Sequence, residues 1–263
     1  MDDRPPSISC WVHRCNRAVI QLTLGDDGEH QSGPACRLCG NANHNSQQEP
    51  LDFIVKLDCP LVSADHTSLE LIIKPMSGTF LANFGNGSQL HIGVVNDQRQ
   101  VLEYDHRGIS LSDGGRWDQC LPLGLSQLII NRWDQSGEAF RAVWNVLIDE
   151  LRSNNDNGVD TRWSAKNYDP ANHNCFDFAL NFVRKFVEKL HACHRSQGNT
   201  EANQGNGLMQ LLHSCDSKEQ FCQALVVPRM RHLARYLALY KETKSSVGFI
   251  NNEPHNSLLA PSH

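Results

Sequence analysis

A single cysteine stands at the start of a segment with the pattern of an amphipathic helix. Residues 172–187 read Asn-His-Asn-Cys-Phe-Asp-Phe-Ala-Leu-Asn-Phe-Val-Arg-Lys-Phe-Val, which places Cys175 in the expected first turn. The apolar residues that follow recur at helical spacing, which predicts a helix with one face against a core. A helix N-terminus stabilises negative charge, and the thiolate is the reactive form of cysteine. Cys175 is therefore a candidate nucleophile.

A histidine earlier in the chain offers the base that such a thiol needs. Residues 90–95, Leu-His-Ile-Gly-Val-Val, predict a strand in which His91 and Gly93 share one face. An adjacent imidazole activates a thiol by taking its proton. Because Gly93 has no side chain, we expect open space on that face for a substrate or a helix end. Taken separately, His91 also fits a solvent-facing strand residue, and Cys175 a small buried apolar one.

These two residues must be positioned by a fold that the remaining pattern indicates. Short apolar runs separated by turn residues predict strands at 53–57, 69–73, 79–84, 90–95, 100–104 and 127–130. Helical spacing follows, with predicted helices from 136 to about 153, from 173 or 174 to 190, at 217–225 and at 228–240. An antiparallel sheet packed by later helices is an α+β fold.

Changes in amino-acid composition along the chain predict three regions. Residues 1–45 form a polar arm with cysteine and histidine, residues 51–245 form the α+β domain, and residues 246–263 form a flexible tail. An Asn-, Gln- and Ser-rich stretch separates the arm from the domain.

Length, charge and cysteine content narrow the function classes. The chain has 263 residues, ten cysteines and a formal net charge of −5, and this acidic balance argues against nucleic-acid binding. No stretch approaches the roughly 20 apolar residues of a membrane span, and the N-terminus lacks the layout of a secretory signal. Many cysteines without a signal favour a reducing compartment. We expect a cytoplasmic protein, with the nucleus as a second intracellular location.

The N-terminal arm carries a second chemical motif. Residues 36–40, Cys-Arg-Leu-Cys-Gly, place two thiols three positions apart in a turn, as in a zinc knuckle. A redox pair or incidental cysteines are the competing interpretations. An arm without its own core suits a structural zinc ion. The expected ligands are His13, Cys15, Cys36 and Cys39, with Cys10 as the alternative to His13.

Together, the histidine strand and the cysteine helix resemble motifs of the circularly permuted papain-like cysteine enzymes. That group includes lecithin retinol acyltransferase-like enzymes and PPPDE peptidases, in which the histidine strand precedes the cysteine helix. The resemblance covers about residues 80–190. It implies a permuted papain-like fold, His91 as general base and Cys175 as nucleophile. Four residues are candidates for orienting the base: Glu103, Asp105, His106 and His173.

Over the whole chain, the sequence also resembles the makorin-2 opposite-strand protein family. The matching pieces are residues 12–19, 90–94, 173–175 and 226–229. That family has no established activity, so this resemblance implies relatedness and no particular chemistry.

Two functions from different classes follow from these motifs. The first is a cysteine hydrolase or acyltransferase that uses Cys175 and His91 on an amide, isopeptide or thioester, through a thioester intermediate. The second is an inactive papain-like scaffold that acts as an intracellular protein-interaction module. The sequence leaves open the substrate, protein or acyl-type, and the oligomeric state.

Overall fold

The chain divides into two compact units. Residues 1–60 and 233–263 form the first, and residues 61–232 form the second. The computed structural model describes residues 7–13, 17–23, 54–85, 87–126, 129, 137–196, 216–245 and 249–251. The boundaries expected for the arm, the domain and the tail stay a prediction.

The first unit contains a four-stranded antiparallel sheet. Its strands, in the order β3-β1-β2-β9, are β1 (Ser7–His13), β2 (Arg17–Thr23), β3 (Ile54–Leu57) and β9 (Phe249–Asn251). β1 and β2 form a hairpin in which Ser7 pairs with Thr23 and His13 pairs with Arg17. His13 therefore ends its strand where the chain turns toward β2.

The second unit contains a five-stranded antiparallel sheet. Its strands are β4 (Glu70–Pro75), β5 (Leu90–Val95), β6 (Gln100–Asp105), β7 (Gly108–Asp113) and β8 (Leu121–Pro122), in the order β7-β6-β5-β4-β8. His91 lies opposite Lys74, and Gly93 lies opposite Glu103. Because alternate residues share a face, His91 and Glu103 are diagonal neighbours on one side of the sheet.

The two long helices of the second unit, at residues 138–156 and 175–196, pack beside this sheet and contact each other through aromatic residues. The α-helices are α1 (Glu138–Asp156), α2 (Cys175–Ser196), α3 (Lys218–Phe221) and α4 (Val227–Ser245), with a π-helical segment at Cys222–Val226. The ring of Trp144 on α1 packs on Phe182 of α2 at 4.8 Å, and its Nε1 donates to the Val95 carbonyl at 2.8 Å. Within the described ranges, no helix has the length and apolar character that crossing a bilayer requires.

The mixture of helices with an antiparallel sheet confirms the α+β class. The strand predicted at 79–84 is wrong, because side chains close a local turn there. Asn83 Oδ1 accepts from the Thr79 N–H at 3.1 Å, and Thr79 Oγ1 accepts from the Ala82 N–H at 3.3 Å. Such local bonds compete with strand pairing.

Of the strand predicted at 127–130, Ile129 is the one residue that the structure describes, and it is helical; residues 127, 128 and 130 lie outside the described residues. Leu125, Ser126 and Ile129 are helical, and the buried Glu70 carboxylate caps this turn. Glu70 accepts from the Leu125 N–H at 2.9 Å and from the Ser126 hydroxyl at 2.8 Å. The local structure at Leu125 and Ser126 therefore depends on the carboxylate of Glu70, which is distant in the chain, and the residues of the turn do not themselves predict it.

Candidate active site

The start of α2 is fixed by a capping box. Asn174 Oδ1 accepts from the Phe176 N–H at 2.9 Å, and Asp177 Oδ2 accepts from the Asn174 N–H at 3.0 Å. These reciprocal bonds satisfy two donors that a helix start leaves without partners. Cys175 is therefore the first residue of α2, which begins one residue after the nearer predicted start, and its predicted place in the first turn is confirmed.

The loop before the helix is braced on the other side of Cys175. The backbone N–H groups of Asp169 and His173 each donate to the other residue's carbonyl at 3.0 Å. Lys218 of α3 donates to the Ala171 carbonyl at 3.2 Å and to Asp177 Oδ2 at 2.9 Å. The sulfur is therefore carried by a helix start that is held from two directions.

His91 forms a buried pair with Glu103. The His91 Nε2 atom lies 3.0 Å from Glu103 Oε2, and the two residues are 5% and 7% exposed. Ser112 Oγ donates to Glu103 Oε1 at 3.4 Å. The carboxylate fixes the orientation of the imidazole and occupies one of its two nitrogens, which leaves Nδ1 for another partner.

The structure brings Cys175 next to this imidazole. Burial alone lowers the pKa of His91, but interactions with Cys175 and Glu103 outweigh burial and raise that pKa to about 9. His91 Nδ1 makes no hydrogen bond of ordinary length and angle with any residue that the structure describes. The thiol and the imidazole are therefore adjacent, in loose contact. A positively charged imidazole beside a thiol is the arrangement found at reactive cysteines.

Lys74 adds a second positive charge on the same face of the sheet. Its Nζ lies 4.2 Å from the centroid of the Trp117 ring and donates to the Arg116 carbonyl at 3.2 Å. Burial alone raises the pKa of Glu103, but the bond from His91 and the charges of His91 and Lys74 lower it. Glu103 is therefore a carboxylate at neutral pH.

The space above Gly93 is occupied by an indole. A Cβ at Gly93 would lie 2.8 Å from Trp117 Cη2 and 2.5 Å from Val101 Cγ1. Trp117 is fully buried, and its ring centroid lies 5.4 Å from that of His91. The expectation of open space is wrong, because Gly93 instead permits an aromatic ring to pack against the sheet beside the histidine.

Two of the other candidates for orienting the base lie at the last residue of β6 and in the turn that follows it. Asp105 is bonded to Arg107, with 2.7 Å between Oδ2 and the guanidinium Nη2. His106 is an exposed turn residue. Neither engages the imidazole of His91, which Glu103 holds.

The last candidate, His173, belongs to an aromatic cluster. Its Nδ1 lies 3.1 Å from the Tyr104 hydroxyl, and its ring stacks on Trp163 with centroids 4.5 Å apart. His173 thus stabilises the loop before α2. Among the four candidates, the one bonded to His91 is Glu103.

Comparison with known proteins gives the chain a family. The model described as DUF4796 C-terminal matches residues 54–243. The chain belongs to the DUF4796 C-terminal family. It is also similar to the MKRN2 opposite strand protein of Homo sapiens, with 22% identity over 230 residues, which is 86% of this chain and 85% of the human protein. The resemblance to the makorin-2 opposite-strand family is thereby confirmed. No solved structure matches the chain.

In this member of the DUF4796 C-terminal family, the candidate active site lies inside the matched region. His91, Glu103 and Cys175 all fall within residues 54–243. The zinc candidates precede that region. Cys15, Cys36 and Cys39 lie outside the described residues, and for His13 the structure describes the backbone alone. Elsewhere in the described part of the chain, no cluster of three or more metal-binding side chains occurs.

Sequence reasoning missed Lys74 and Tyr168. Lys74 reaches the site through strand pairing, which no local pattern reports. Tyr168 is half-buried beside the loop that leads into α2, and its ring centroid lies 5.4 Å from that of Tyr104. Burial raises the pKa of Tyr168, and the nearby Cys175 and Asp105 raise it further. This phenol is therefore within electrostatic reach of the candidate nucleophile.

Proposed function

We propose that this protein is a thiol-dependent hydrolase or acyltransferase with Cys175 as its nucleophile and His91 as its acid and base. One observation carries the proposal. Glu103 accepts a 3.0 Å hydrogen bond from His91 Nε2 and so orients a buried imidazole whose other nitrogen is left for Cys175 at the start of α2. A nucleophile, a base and a group that orients the base are the parts of a catalytic thiol site.

The proposed reaction proceeds through a thioester. The Cys175 sulfur bonds to a carbonyl carbon while His91 holds the thiol proton, and the negative charge moves to the carbonyl oxygen. His91 then gives its proton to the leaving amine or thiol as the bond to carbon breaks. In the second half, His91 takes a proton from the incoming acceptor, the acceptor oxygen or nitrogen bonds to the carbonyl carbon, and the sulfur leaves.

The start of α2 supports this chemistry by offering a backbone donor. The first N–H groups of a helix have no acceptor within the helix. Asn174 caps the N–H of Phe176, so the N–H of Cys175 itself is the donor positioned for an oxyanion on the acyl carbon. A free thiol nucleophile also suits the reducing, intracellular location that we propose.

We propose an amide, isopeptide or thioester, on a protein or another acyl donor, as the substrate class. Water as acceptor makes the protein a hydrolase, and an amine or alcohol makes it an acyltransferase. The order of a histidine strand before a cysteine helix supports a permuted papain-like fold, as does the packing of α2 against β5 and β6.

Acylation of the full-length protein with p-nitrophenyl acetate tests this function. We expect nitrophenolate release at pH 7 together with an acetyl group on Cys175, located by peptide mass mapping. Cys175→Ser and His91→Ala should each lower the rate by about 100-fold or more. His106→Ala, a change at an exposed histidine, is the matched control and should leave the rate unchanged. Release that persists in Cys175→Ser contradicts the proposal.

The burial of Cys175 favours a second function, in which the same domain is an inactive scaffold for protein interaction. Cys175 is 3% exposed, which suits a thiol that fills space between a helix and a sheet. The acylation experiment separates the two functions. A scaffold would show slow, uniform acylation of its thiols and normal folding in Cys175→Ala.

We also propose a structural zinc ion in the arm, held by His13, Cys15, Cys36 and Cys39. One imidazole and three thiolates are a common tetrahedral set for zinc. The hairpin supports His13 over Cys10, because His13 ends β1 beside Cys15 in the chain. Cys10 lies three residues back, roughly 10 Å further along the strand.

Metal analysis of the full-length protein tests the zinc proposal. We expect one zinc ion per chain, lost on Cys36→Ser and retained on Cys59→Ser, a cysteine outside the proposed set. A chelator should lower the thermal unfolding temperature of the wild type and leave that of Cys36→Ser unchanged. Metal-free protein whose folding Cys36→Ser does not alter contradicts the site.

A further inference from the structure

Lys74 is placed beside the candidate base by the pairing of two strands. It lies directly opposite His91 in the register of β4 and β5, so the two side chains leave the same face of the sheet. Side chains that are directly opposed in an antiparallel pair have Cβ atoms about 4.5–5.5 Å apart. Lys74 is therefore the cross-strand neighbour of His91, just as Glu103 is its diagonal neighbour.

A shared aromatic ring joins the ammonium of Lys74 to the imidazole. Lys74 Nζ lies 4.2 Å from the centroid of the Trp117 ring, and the His91 ring packs on the same indole with centroids 5.4 Å apart. Lys74 Nζ also donates to the Arg116 carbonyl at 3.2 Å. Because Trp117 is fully buried, it is a fixed support for both side chains. The cation–π contact and the bond to the carbonyl therefore hold the ammonium near His91.

The ammonium carries a charge that no neighbouring carboxylate neutralises by contact. In the part of the chain that the structure describes, no carboxylate oxygen lies within 4 Å of Lys74 Nζ. Glu103, the acidic residue on the same face, is bonded to His91 and Ser112 instead, and the charge of Lys74 acts on it from a longer distance. An ammonium has three donors, and among the described residues the Arg116 carbonyl is the one acceptor bonded to them. Donors and charge therefore remain for an anionic ligand.

Charge, rather than exposure, distinguishes Lys74 on this face of the sheet. Ser110 and Ser112 of β7 lie on the same face and are half-buried like Lys74, but they are neutral. Because the ammonium is half-buried, solvent screens its charge less than it screens the charge of a fully exposed lysine. A negatively charged group on a molecule that reaches Cys175 is therefore attracted to Lys74.

We propose that Lys74 determines substrate specificity by binding a carboxylate of the acyl donor, close to the carbonyl carbon that Cys175 attacks. This inference rests on the proposed function and narrows its substrate class to acyl donors with a negative charge near the bond that is broken. The ammonium donates charge-assisted hydrogen bonds to the carboxylate oxygens. A small dicarboxylic acyl group and an acidic residue of a peptide share this chemistry.

Alkylation of Cys175 in the full-length protein with a matched pair of reagents measures this preference. Iodoacetate carries a carboxylate where iodoacetamide carries a neutral amide, and both react with sulfur by displacement of iodide. In Lys74→Met we expect the ratio of the iodoacetate rate to the iodoacetamide rate at Cys175 to fall about five- to tenfold, because one nearby attractive charge is removed. Lys74→Arg should retain most of the ratio. The charge of His91 is present in every variant, so it does not contribute to the difference.

Lys185→Met is the matched control for this measurement. Lys185 is also a half-buried lysine, but it lies on α2 ten residues after Cys175, about 15 Å along the helix. Its replacement removes the same charge from the protein and should leave the ratio of the two rates unchanged.

Acylation of Cys175 identifies the source of the carboxylate. Mono-p-nitrophenyl succinate and p-nitrophenyl acetate compare a dicarboxylic with a neutral acyl group, and the p-nitrophenyl α-esters of acetylglutamate and acetylglutamine compare an acidic with a neutral residue. A preference for the charged member of the first pair identifies a small dicarboxylic acyl group, and a preference within the second pair identifies an acidic residue of a peptide. In either case Lys74→Met should remove the preference.

Each result has a distinct meaning. An unchanged ratio in Lys74→Met overturns the role of Lys74 and leaves the proposed function intact, even where both alkylation rates fall together, since altered packing around Trp117 affects both reagents. An equal fall of the ratio in Lys185→Met also overturns it, because the effect would then belong to net charge. A wild-type protein in which Cys175 reacts no faster than Cys222 with either reagent overturns the proposed function, and the role of Lys74 with it.

Discussion

Cys175 and Cys120 are both buried thiols of the second unit, yet their surroundings are chemically opposite. Cys120 is fully buried in an apolar cluster with Ile72 and Val101, and its sulfur donates to the Trp117 carbonyl at 2.8 Å. Cys175 begins a helix and lies next to an imidazole whose pKa is raised to about 9. Neighbouring charge and donors, rather than exposure, therefore distinguish a thiol suited to reaction from one suited to packing.

Trp117 contributes to two regions of the second unit: the polar region around Cys175 and His91, and the apolar region around Cys120. Its indole lies beside His91 and fills the space above Gly93, and it also packs in the cluster that encloses Cys120. The apolar region thus supports the polar one, because the ring that completes the core also limits the movement of the imidazole. Two further side chains of that cluster, Ala64 and Val95, are buried around the same indole.

The largest expected difference is in alkylation of the two sulfurs. Burial raises the pKa of Cys120 to about 12, so its thiolate fraction at pH 7 is on the order of 10⁻⁵. We expect iodoacetamide at pH 7 to modify Cys175 at least about 1,000-fold faster than Cys120, measured by quantitative peptide mapping. Cys222, half-buried with its pKa also raised by burial, is an internal comparison and should react slowly. Comparable rates at Cys175 and Cys120 would remove the distinction.

We expect an effect of intermediate size when the packing of Trp117 over Gly93, which joins the polar and apolar regions, is disturbed. Gly93→Ala places a methyl group 2.5 Å from Val101 Cγ1 and 2.8 Å from Trp117 Cη2. Overpacking of this kind lowers the free energy of unfolding by about 1–3 kcal/mol. Urea unfolding measures the loss, and alkylation of Cys175 should slow as the indole shifts. Gly85→Ala, where nothing lies within 4 Å, is the control and should change stability by less than about 1 kcal/mol. Equal stability of the two variants would show that Trp117 can shift without lowering the free energy of unfolding.

Local patterns predicted the parts of the site that local structure determines. Apolar spacing and Asn174 indicate where α2 begins, and the alternation of β5 places His91 and Gly93 on one face. Glu103 was one of four candidates, since its selection depends on the register that sets Gly93 opposite Glu103. Register arises from pairing between strands, and the residues of one strand do not determine it.

Long-range packing explains what the sequence did not predict. The segment around Trp117 folds over the sheet, so an indole fills the space that Gly93 was expected to leave open. β7 was not predicted because its apolar positions, Ile109 and Leu111, alternate with serines in a short and partly exposed edge strand. Tyr168 lies in a loop, and its proximity to Cys175 depends on the fold of residues far from it in the chain. Each of these features arises from tertiary contacts.

The smallest expected effect, and the most specific to His91, is a change in the pH dependence of stability. The pKa of His91 is raised from 6.5 to about 9 in the folded protein. Protonation of His91 therefore contributes its full amount to the free energy of unfolding below pH 6.5. That stabilisation is lost as pH rises through 9. Glu103→Gln removes the negative partner of the imidazole, so we expect a smaller decrease in the free energy of unfolding between pH 6.5 and 9. The difference should be on the order of 1 kcal/mol.

Urea unfolding at several pH values measures this slope, with Asp105→Asn as the control. Asp105 is also a carboxylate at the end of β6, but it pairs with Arg107 instead of His91, so its loss should preserve the slope. Identical slopes in the wild type and Glu103→Gln would mean that the carboxylate does not hold the proton on His91. Because this measurement needs no substrate, it tests the buried His91–Glu103 pair independently of catalysis. A scaffold and an enzyme that contain the same buried pair would show the same slope, and only their rates of acylation would differ.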